Sequence, residues 1–411
     1  MKHLTFLLAS LGLLASSVSC GKIGGDDAKT NPYKPLELSS KSVEILQKGH
    51  SFSLEFIDRV DSSTGRNYVI SPLSMQFLLG MILNGANGAT ADEICTVLGY
   101  GRGEREAVNE FCYSLLSQLP QMDNKTDLGI ANALFADKSL PVLYSYKTAV
   151  GKYYRPEIAN LDFSDSRNSL NTINRWCSDN TKGMIANVLD ELSPNVSLYL
   201  FNALYFKGIW SEKFDKSATA GEIFTYESGR KDRLAMMKQN EEHTYTENEV
   251  FQAVSLAYGN SAFSMTVLLP KQGYGTSDII ASLKESGWDA FRSGLHSREV
   301  DLWLPKFEIS YKLEADKLLS EMGMPSAFDG TKADFSALSE SPLFLQFVNQ
   351  NAVIKVDEEG TEAAAVTDAG FGEMAPPPIP SATFHADHPF LYLITERGTG
   401  AILFAGKFCG E

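Results

Sequence analysis

Residues 198–210 read LYLFNALYFKGIW and form a strong signal for a β-strand. Its first nine residues, Leu198–Phe206, form a continuous apolar run that only Asn202 interrupts. A short apolar run rich in aromatic side chains is typical of a buried strand. The chain is therefore predicted to contain a substantial β-sheet, and the sequence on either side indicates what surrounds it.

Strands continue through the second half of the chain. Val254–Leu256 and Phe263–Leu269 are separated by Gly259-Asn260-Ser261, a signal for a hairpin. Further strands are predicted at Val300–Leu304, Leu343–Val356 and Phe390–Phe408, the last as two strands joined at residues 397–400.

Helical patterns dominate the first half instead. Ser40–Asp61 is predicted to be a helix, although Gly49 lies within it. Ser71-Pro72 opens a second helix, because Pro is favoured in the first turn after a Ser cap. The dense apolar residues that follow predict burial on most sides of that helix. Helices early and long strands late predict an α+β fold with a large, partly antiparallel sheet.

The composition and the absence of known motifs exclude several classes of function. The chain has 411 residues, 44% of them hydrophobic, and a net charge of -15 from 51 acidic and 36 basic residues. This excess of acids argues against a nucleic-acid partner, since affinity for phosphates comes mainly from Lys and Arg. Hydrolase, P-loop and zinc-protease motifs are missing from the sequence. His385 and His388, the closest histidine pair, would fall on opposite faces of a strand. We expect no enzymatic activity, no cofactor and no metal.

Four cysteines in the body of the chain lack the spacing of a zinc ribbon. Buried free thiols are expected, and a disulfide between two of the four cysteines is the alternative. These residues are Cys95, Cys112, Cys177 and Cys409.

The N-terminus has the pattern of an export signal. Lys2 precedes an apolar run from Leu4 to Ala15. That run is too short to span a bilayer, which needs about 20 apolar residues. Residues 1–19 are therefore predicted to be a signal peptide.

The residues that follow predict a lipid anchor and a tether. Cys20 comes after small residues and resembles the acylated Cys of bacterial lipoproteins, although Ser17 stands where Leu is usual. Residues 20–39 are rich in Gly, Asp and Pro and are predicted to be a flexible tether with no apolar face to bury. We expect an outer-membrane or cell-surface lipoprotein that contacts the membrane through its lipid anchor only. A soluble periplasmic or extracellular protein is the alternative.

Residues 357–383 carry conflicting signals. They lie between two predicted strands and are too long for an ordinary hairpin loop. Glu362–Ala365 favours a helix, whereas the Gly and Pro residues after it forbid one. With a period of two, one face carries only small residues, which could slide between two existing strands. Those residues are Thr361, Ala363, Ala365, Thr367 and Ala369. A flexible surface loop that lacks large residues is the alternative.

In these residues and in the motifs below, the chain resembles the serpin family over about residues 41–411. Residues 202–210 are similar to the family's N-A-I-Y-F-K-G-x-W, and residues 358–365 to the mobile hinge of its inhibitory members. Residues 384–390 match the F-x-A-D-H-P-F that follows the loop. Further matches in the family's order are Ser71-Pro72-Leu73-Ser74, Asn84–Thr90, Asn132-x-Leu134-Phe135, Asn174-x-Trp176, Thr181-x-Gly183-x-Ile185, Met236-Met237-x-Gln239, Leu304-Pro305-Lys306-Phe307 and Ala333-Asp334-Phe335-Ser336.

The resemblance implies a single domain over residues 40–411. About eight or nine helices would pack on three β-sheets, with a large central sheet and an exposed reactive loop at about residues 358–383. It implies irreversible inhibition of serine proteases of the elastase, chymotrypsin or subtilisin type, and of some cysteine proteases. The protease, held in a covalent acyl complex, would be the partner of a monomer. A non-inhibitory serpin that acts as a surface binding module is the alternative.

The resemblance also implies roles for loop residues. The attacked bond joins Met374 to Ala375, with Glu373 or Ala375 as alternatives for the attacked residue. Thr361 is expected to be exposed in the uncleaved protein and to enter the sheet, with Ala363, only after cleavage. The hinge comprises Glu358, Gly360, Thr361, Glu362, Ala363, Ala364 and Ala365.

Two further groups are expected around the central sheet. Trp210, Lys306 and Glu358 would lie together where the loop enters the sheet. Ser71 and Asn202 would lie in the shutter region, the part of the sheet that opens. Gln350 stands where many serpins carry His, and it is expected to pair with Asn202 or Ser71, because an amide can both donate and accept.

Overall fold

The structure is a computed structural model that describes residues 29–361 and 381–410. In this part of the chain it contains nine α-helices and fifteen strands. The helices are α1 (Ser40–Ser63), α2 (Pro72–Gly85), α3 (Gly88–Val97), α4 (Arg105–Gln118), α5 (Tyr144–Tyr154), α6 (Ser166–Asn180), α7 (Thr276–Ser286), α8 (Trp288–Ser293) and α9 (Asp316–Met322). The strands are β1 (Tyr68–Ile70), β2 (Thr126–Asp137), β3 (Glu157–Leu161), β4 (Leu198–Ile209), β5 (Ala220–Thr225), β6 (Lys231–Glu247), β7 (Phe251–Tyr258), β8 (Phe263–Pro270), β9 (His296–Pro305), β10 (Phe307–Glu314), β11 (Asn349–Asp357), β12 (Gly360–Thr361), β13 (Ala382–His385), β14 (Phe390–Glu396) and β15 (Ile402–Phe408).

The two helices predicted in the first half are confirmed. The Ser71 hydroxyl caps α2 by accepting from the Ser74 N–H, and every residue of α2 is buried. Gly49 in α1 has a packing reason: a Cβ there would lie 2.6 Å from Oε1 of Gln76 in α2. The glycine thus lets the two helices cross closely.

A central sheet forms around the stretch that begins at Leu198. Its strand order is β10-β11-β12-β4-β2-β3. Strand β4 pairs antiparallel with β2 from Leu198–Gly208, and β10 pairs antiparallel with β11 along its whole length. In the described residues β4 and β11 are not paired with each other, and the two-residue β12 pairs with one end of each.

The other strands form a second sheet in the order β1-β15-β14-β8-β7-β6-β9-β13, with β5 paired to β6. The predicted hairpin is β7–β8, and the predicted pair near the C-terminus is β14–β15. Phe307 of β10 packs on Tyr392 of β14 with ring centroids 5.3 Å apart, so this end of the second sheet packs on β10.

The α+β fold is confirmed, but the number of sheets differs from expectation. Three sheets were expected, but the described strands form two continuous hydrogen-bonded sheets. The long strand β6 causes the difference. It pairs with β9 over Met236–Tyr245 and with β7 over Thr244–Glu247, so it joins what would otherwise be separate sheets.

The strand predicted over Leu343–Val356 is wrong in its first half, since β11 begins at Asn349. The backbone before it bonds elsewhere. The Leu345 N–H donates to the Ala327 carbonyl, and the Val348 carbonyl accepts from the Ala315 N–H. Of these residues only Val348 is buried, whereas Phe344 is 45% exposed, so loop contacts rather than strand pairing hold this segment.

The tether predicted over residues 20–39 is wrong for the part that the structure describes. Tyr33, Leu36 and Leu38 pack against the core as half-buried side chains. Asn31 exchanges hydrogen bonds with Asn124. The alternation of these apolar residues with polar ones does provide a face to bury, contrary to the prediction.

A further prediction concerns the cysteine thiols. All four body cysteines are buried free thiols in the structure, and burial raises the pKa of Cys112 to about 12. Among the described helices none is both long and apolar enough to cross a bilayer.

Candidate functional site: the hinge at the top of the central sheet

Strand β12 places the start of the hinge inside the central sheet. Thr361 is opposite Val356 of β11 on one side and Gly208 of β4 on the other, antiparallel to both. Only 1% of Thr361 is exposed, and its Oγ1 lies 2.8 Å from the hydroxyl oxygen of the buried Tyr258. The expectation that Thr361 is exposed before cleavage is therefore wrong, because two strands and a hydroxyl partner already hold it.

Gly360 makes this close approach of strands possible. Its φ of 149° lies in a region that L side chains rarely adopt. A Cβ at this position would overlap the Gly208 carbonyl oxygen. Glycine is thus required for the chain to enter the sheet here.

Trp210 fastens the backbone that leads into β12. Its indole Nε1–H donates to the Asp357 carbonyl at 2.9 Å, and its backbone N–H donates to the Glu359 carbonyl at 2.9 Å. The indole also stacks on Tyr258, with ring centroids 4.3 Å apart and planes 12° apart. One aromatic pair therefore contacts the hinge backbone and the hinge side chain Thr361 together.

Glu358 forms an ion pair at the edge of this site. Its Oε2 lies 2.7 Å from Nζ of Lys306, and its Oε1 accepts from the Thr219 hydroxyl at 2.8 Å. Burial by itself would raise the pKa of the Glu358 carboxyl, but the hydrogen bonds from Lys306, the backbone and Thr219 hold that pKa below its ordinary value. The structure thus brings Trp210, Lys306 and Glu358 together, as expected.

Glu359 is a second buried carboxylate, which the sequence reasoning missed. Its two oxygens lie 2.9 Å from Nζ of Lys213 and 2.7 Å from Nζ of Lys216. Burial opposes ionisation here too, yet hydrogen bonds from the two lysines lower the pKa of the Glu359 carboxyl. The two lysines are three residues apart just after Trp210, and this spacing was the only signal available in the sequence.

The shutter residues divide into two pairs. Oε1 of Gln350 accepts from the Ser71 N–H at 2.8 Å, and its Nε2 donates to the Ser71 carbonyl at 2.9 Å. Asn202 instead donates from Nδ2 to Oδ1 of Asn132 at 2.7 Å. Of the two partners expected for Gln350, the structure selects Ser71.

Several residues with predicted roles lie outside the described part of the chain. They are Cys20, Glu362, Ala363, Ala364, Ala365, Glu373, Met374 and Ala375. Residues 29–361 and 381–410 contain no group of three or more His, Cys, Asp and Glu side chains arranged to hold a metal ion.

This fold recurs in known proteins. The profile of one family, described as Serpin (serine protease inhibitor), matches residues 47–410. The chain belongs to the serpin family. That description fits an inhibitor of proteases rather than a catalytic enzyme.

Relatives support the assignment along the whole body of the chain. Serpin B6 of Pongo abelii is 33% identical over 375 residues, which cover 89% of this chain and 98% of the relative. The crystal structure of a thermophilic serpin, tengpin, in its native state has a TM-score of 0.82 at 27% identity and covers 94% of this chain and 98% of tengpin. Thyroxine-binding globulin, in a complex with thyroxine, has a TM-score of 0.80 at 28% identity and covers 89% of this chain and 99% of the globulin.

Proposed function

We propose that this serpin is an irreversible suicide inhibitor of serine proteases that acts by loop cleavage and insertion. The observation that carries the proposal is that Gly360–Thr361 pairs with β4 on one side and with β11 on the other. A segment that continues from Thr361 in the same direction would pair with both strands. The next residues on the Thr361 face, Ala363 and Ala365, are small enough to follow it.

The chemical step occurs on the protease. The catalytic serine of the protease attacks the Met374 carbonyl, an ester forms, and the bond to Ala375 breaks with transfer of a proton to the new amino terminus. The freed hinge then inserts and carries the esterified protease with it. About 10 new ladder hydrogen bonds at about 1 kcal/mol each give on the order of 10 kcal/mol. Since this rivals the stability of a typical domain, the uncleaved form is held kinetically.

Met374 determines the class of target. An unbranched apolar side chain suits the primary pockets of elastase-, chymotrypsin- and subtilisin-like proteases, and of some cysteine proteases. It does not suit a pocket with a buried Asp that binds Arg or Lys. Glu373 and Ala375 are the alternatives for the attacked residue.

The test is formation of an SDS-resistant complex with elastase-like and chymotrypsin-like proteases. We expect a covalent complex and a released C-terminal fragment that begins at Ala375 by mass spectrometry. Cleavage without a complex would instead favour a non-inhibitory serpin that serves as a surface binding module. Inhibition of trypsin alone would contradict the assignment of Met374.

We also propose that Cys20 carries a lipid anchor and that the protein is exported, as an outer-membrane or cell-surface lipoprotein. The pattern of residues 1–20 supports this proposal. One acyl chain contributes about 0.8 kcal/mol per buried methylene to membrane binding. Cys20→Ser should therefore abolish both processing and partition into the membrane fraction. Unchanged fractionation of that variant would contradict the anchor and favour a soluble periplasmic or extracellular protein.

A further inference from the structure

A partly open cavity lies at the end of β4 that is far from the hinge. Its volume is about 180 Å³, and its walls come from β4, from α2 and from the chain before β11. Most of the side chains that line it are apolar, among them Leu198, Leu200, Leu338 and Leu343. An apolar cavity of about 150 Å³ is large enough to bind benzene, so this one has room for a phenyl ring.

The cavity lies where β4 continues and β11 does not. Asn349, the first residue of β11, is seven residues before Val356, and Phe201 is seven residues before Gly208. Beyond that level β4 extends to Leu198, whereas the chain opposite it is held elsewhere through the Leu345 N–H. The space between these two segments is therefore left without a strand.

The register of the hinge determines which loop residue would reach this cavity. Residues 362–380 lie outside the described part of the chain and begin directly after Thr361, which is opposite Gly208. In an antiparallel pair each further residue of the loop moves one position back along β4. Phe371, ten residues after Thr361, would thus be opposite Leu198, ten residues before Gly208.

The alternation of side chains along a strand determines which way this residue would point. Residue 371 is on the same face as Thr361, because their separation is an even number. Thr361 faces the core that contains Tyr258, and Leu198 and Leu200 pack against that same core, whereas Tyr199 belongs to a separate cluster. The ring of residue 371 would therefore point to the side on which Leu198 and Leu200 line the cavity.

The sizes of the loop residues on this face match the space available to them. Phe206 is opposite position 363 in this register, and its ring already packs on Tyr258 and Phe263, with ring centroids 5.0 and 5.7 Å away. Only a small side chain fits above it. The residues on this face are small as far as the cavity, where the first large one follows: Ala363, Ala365, Thr367, Ala369 and then Phe371.

Asn202 supports the same register independently of the cavity. Its Nδ2 donates to Asn132, but its buried Oδ1 has no hydrogen-bond partner among the described residues. Thr367 is six residues after Thr361, and Asn202 is six residues before Gly208. Side chains that are directly opposite have Cβ atoms about 4.5–5.5 Å apart, so the Thr367 hydroxyl would be placed to donate to this oxygen.

We propose that this cavity is the docking site of Phe371 in the cleaved protein, and that burial of its phenyl ring stabilises the inserted loop. Phe371 acts as a positioning residue, since it belongs neither to the hinge nor to the attacked bond. The inference rests on the proposed function, because Phe371 reaches the cavity only if the loop inserts.

The test compares each protein before and after a trace of protease has cut the loop between residues 372 and 378, as confirmed by mass spectrometry. The rise in melting temperature on cleavage, measured in guanidinium so that both forms unfold, reports insertion. In Phe371→Ala the inserted loop leaves the cavity empty, and the rise should shrink by roughly 4–6 °C. Phe371→Leu keeps most of the apolar volume and should lose less.

Two further variants control for the segment and for the cavity. Ile379→Ala removes an apolar side chain that stays with the C-terminal fragment, so its rise should equal that of the wild type. Leu343→Trp partly fills the cavity and should also shrink the rise, because the indole competes with Phe371. The double variant with Phe371→Ala should lose no more than Phe371→Ala alone, since no phenyl ring is left to compete.

A rise in Phe371→Ala equal to that of the wild type would overturn the docking of Phe371 and leave insertion intact. Strictly additive losses in the double variant would do the same. The cavity would then be free for another occupant, such as a small apolar ligand. If Leu343→Trp does not fold, the order of the rises in the wild type, Phe371→Leu and Phe371→Ala decides the question. A wild type that gains no stability on cleavage would overturn insertion itself, and with it the proposed inhibition.

Discussion

The Thr361 hydroxyl and the Tyr258 hydroxyl meet at 2.8 Å in a buried contact that joins the hinge to the second sheet. Tyr258 is fully buried, and burial raises its pKa well above the ordinary value, so this partner stays a neutral phenol. Trp210 stacks on the same ring. The first inserted residue of the loop is thus tied to a residue that belongs to neither of the strands beside it.

We expect this hydroxyl pair to be energetically coupled. Tyr258→Phe leaves the Thr361 hydroxyl buried without its partner and should lower the free energy of unfolding by about 1–3 kcal/mol. Thr361→Val should cost a similar amount, whereas the double variant should cost less than the sum, because both partners are then apolar. Denaturant unfolding of the uncleaved protein measures all three values. Tyr144→Phe, at a position that is 83% exposed, should change stability by less than about 0.5 kcal/mol. Strictly additive single effects would contradict the coupling.

The two hinge carboxylates predict a dependence on pH. The pKa values of Glu358 and Glu359 both lie below the ordinary 4.5 in the folded protein. Their stabilising contribution is therefore complete above pH 4.5 and is lost as the pH falls through the lowered folded values. The melting temperature of the wild type should fall more steeply in this acid range than that of Glu358→Gln/Glu359→Gln. Glu308→Gln, at an exposed position of β10, should keep the slope of the wild type. Parallel slopes for the wild type and the double variant would count against the two ion pairs.

Sequence reasoning predicted the parts of the site that depend on local patterns or on family motifs. The apolar run from Leu198 gave the central strand, and the motif positions brought Trp210, Lys306 and Glu358 together. It could not predict the burial of Thr361, because that depends on Tyr258, a residue 103 positions away in the chain.

The burial of the charged residue Glu359 was also beyond what the sequence could predict. In the sequence it is one acid in a run of three, and a run of acids predicts a solvated surface. Lys213 and Lys216 pair with it only because Trp210 turns the chain back over the hinge. Contacts between distant segments, rather than local propensity, decide which charges are buried.

Gln350 predicts how the shutter responds to pH. The wild-type amide cannot titrate, and it is 8% exposed. In Gln350→His, burial should lower the imidazole pKa below its ordinary value of about 6.5. A lowered histidine pKa means that the unfolded chain binds more protons, so the variant should lose stability relative to the wild type as the pH falls below about 6.5. His50 and His243, whose pKa values burial lowers to about 4, add the same trend to both proteins. The measurement is thus the difference between the two pH profiles of melting temperature, and a constant difference would contradict the prediction.

The most informative substitution is Thr361→Arg. The burial of Thr361 means that this substitution should affect the uncleaved protein as well as the inserted form. Had Thr361 been exposed before cleavage, Arg would have affected only the inserting form. Since 1% of Thr361 is exposed, an Arg side chain must be accommodated in the uncleaved protein as well. An unpaired charge buried at this position costs several kcal/mol. The cheaper outcome is expulsion of residues 360–361 from the sheet, which breaks the ladder to Val356 and Gly208.

We therefore expect Thr361→Arg to unfold more easily before cleavage and to behave as a substrate afterwards. The protease should cut the same bond, but insertion would begin with a charge entering a buried site, so deacylation would outrun it and active protease would be released. Thr361→Ser is the control, because it keeps the hydroxyl that meets Tyr258 and should inhibit like the wild type. Stoichiometry of inhibition and melting temperatures before and after cleavage give the answer. A buried charge at position 361 must slow insertion, and slow insertion gives deacylation time to release the protease. If Thr361→Arg inhibits with the stoichiometry of the wild type, the loop does not insert at the strand position between β4 and β11.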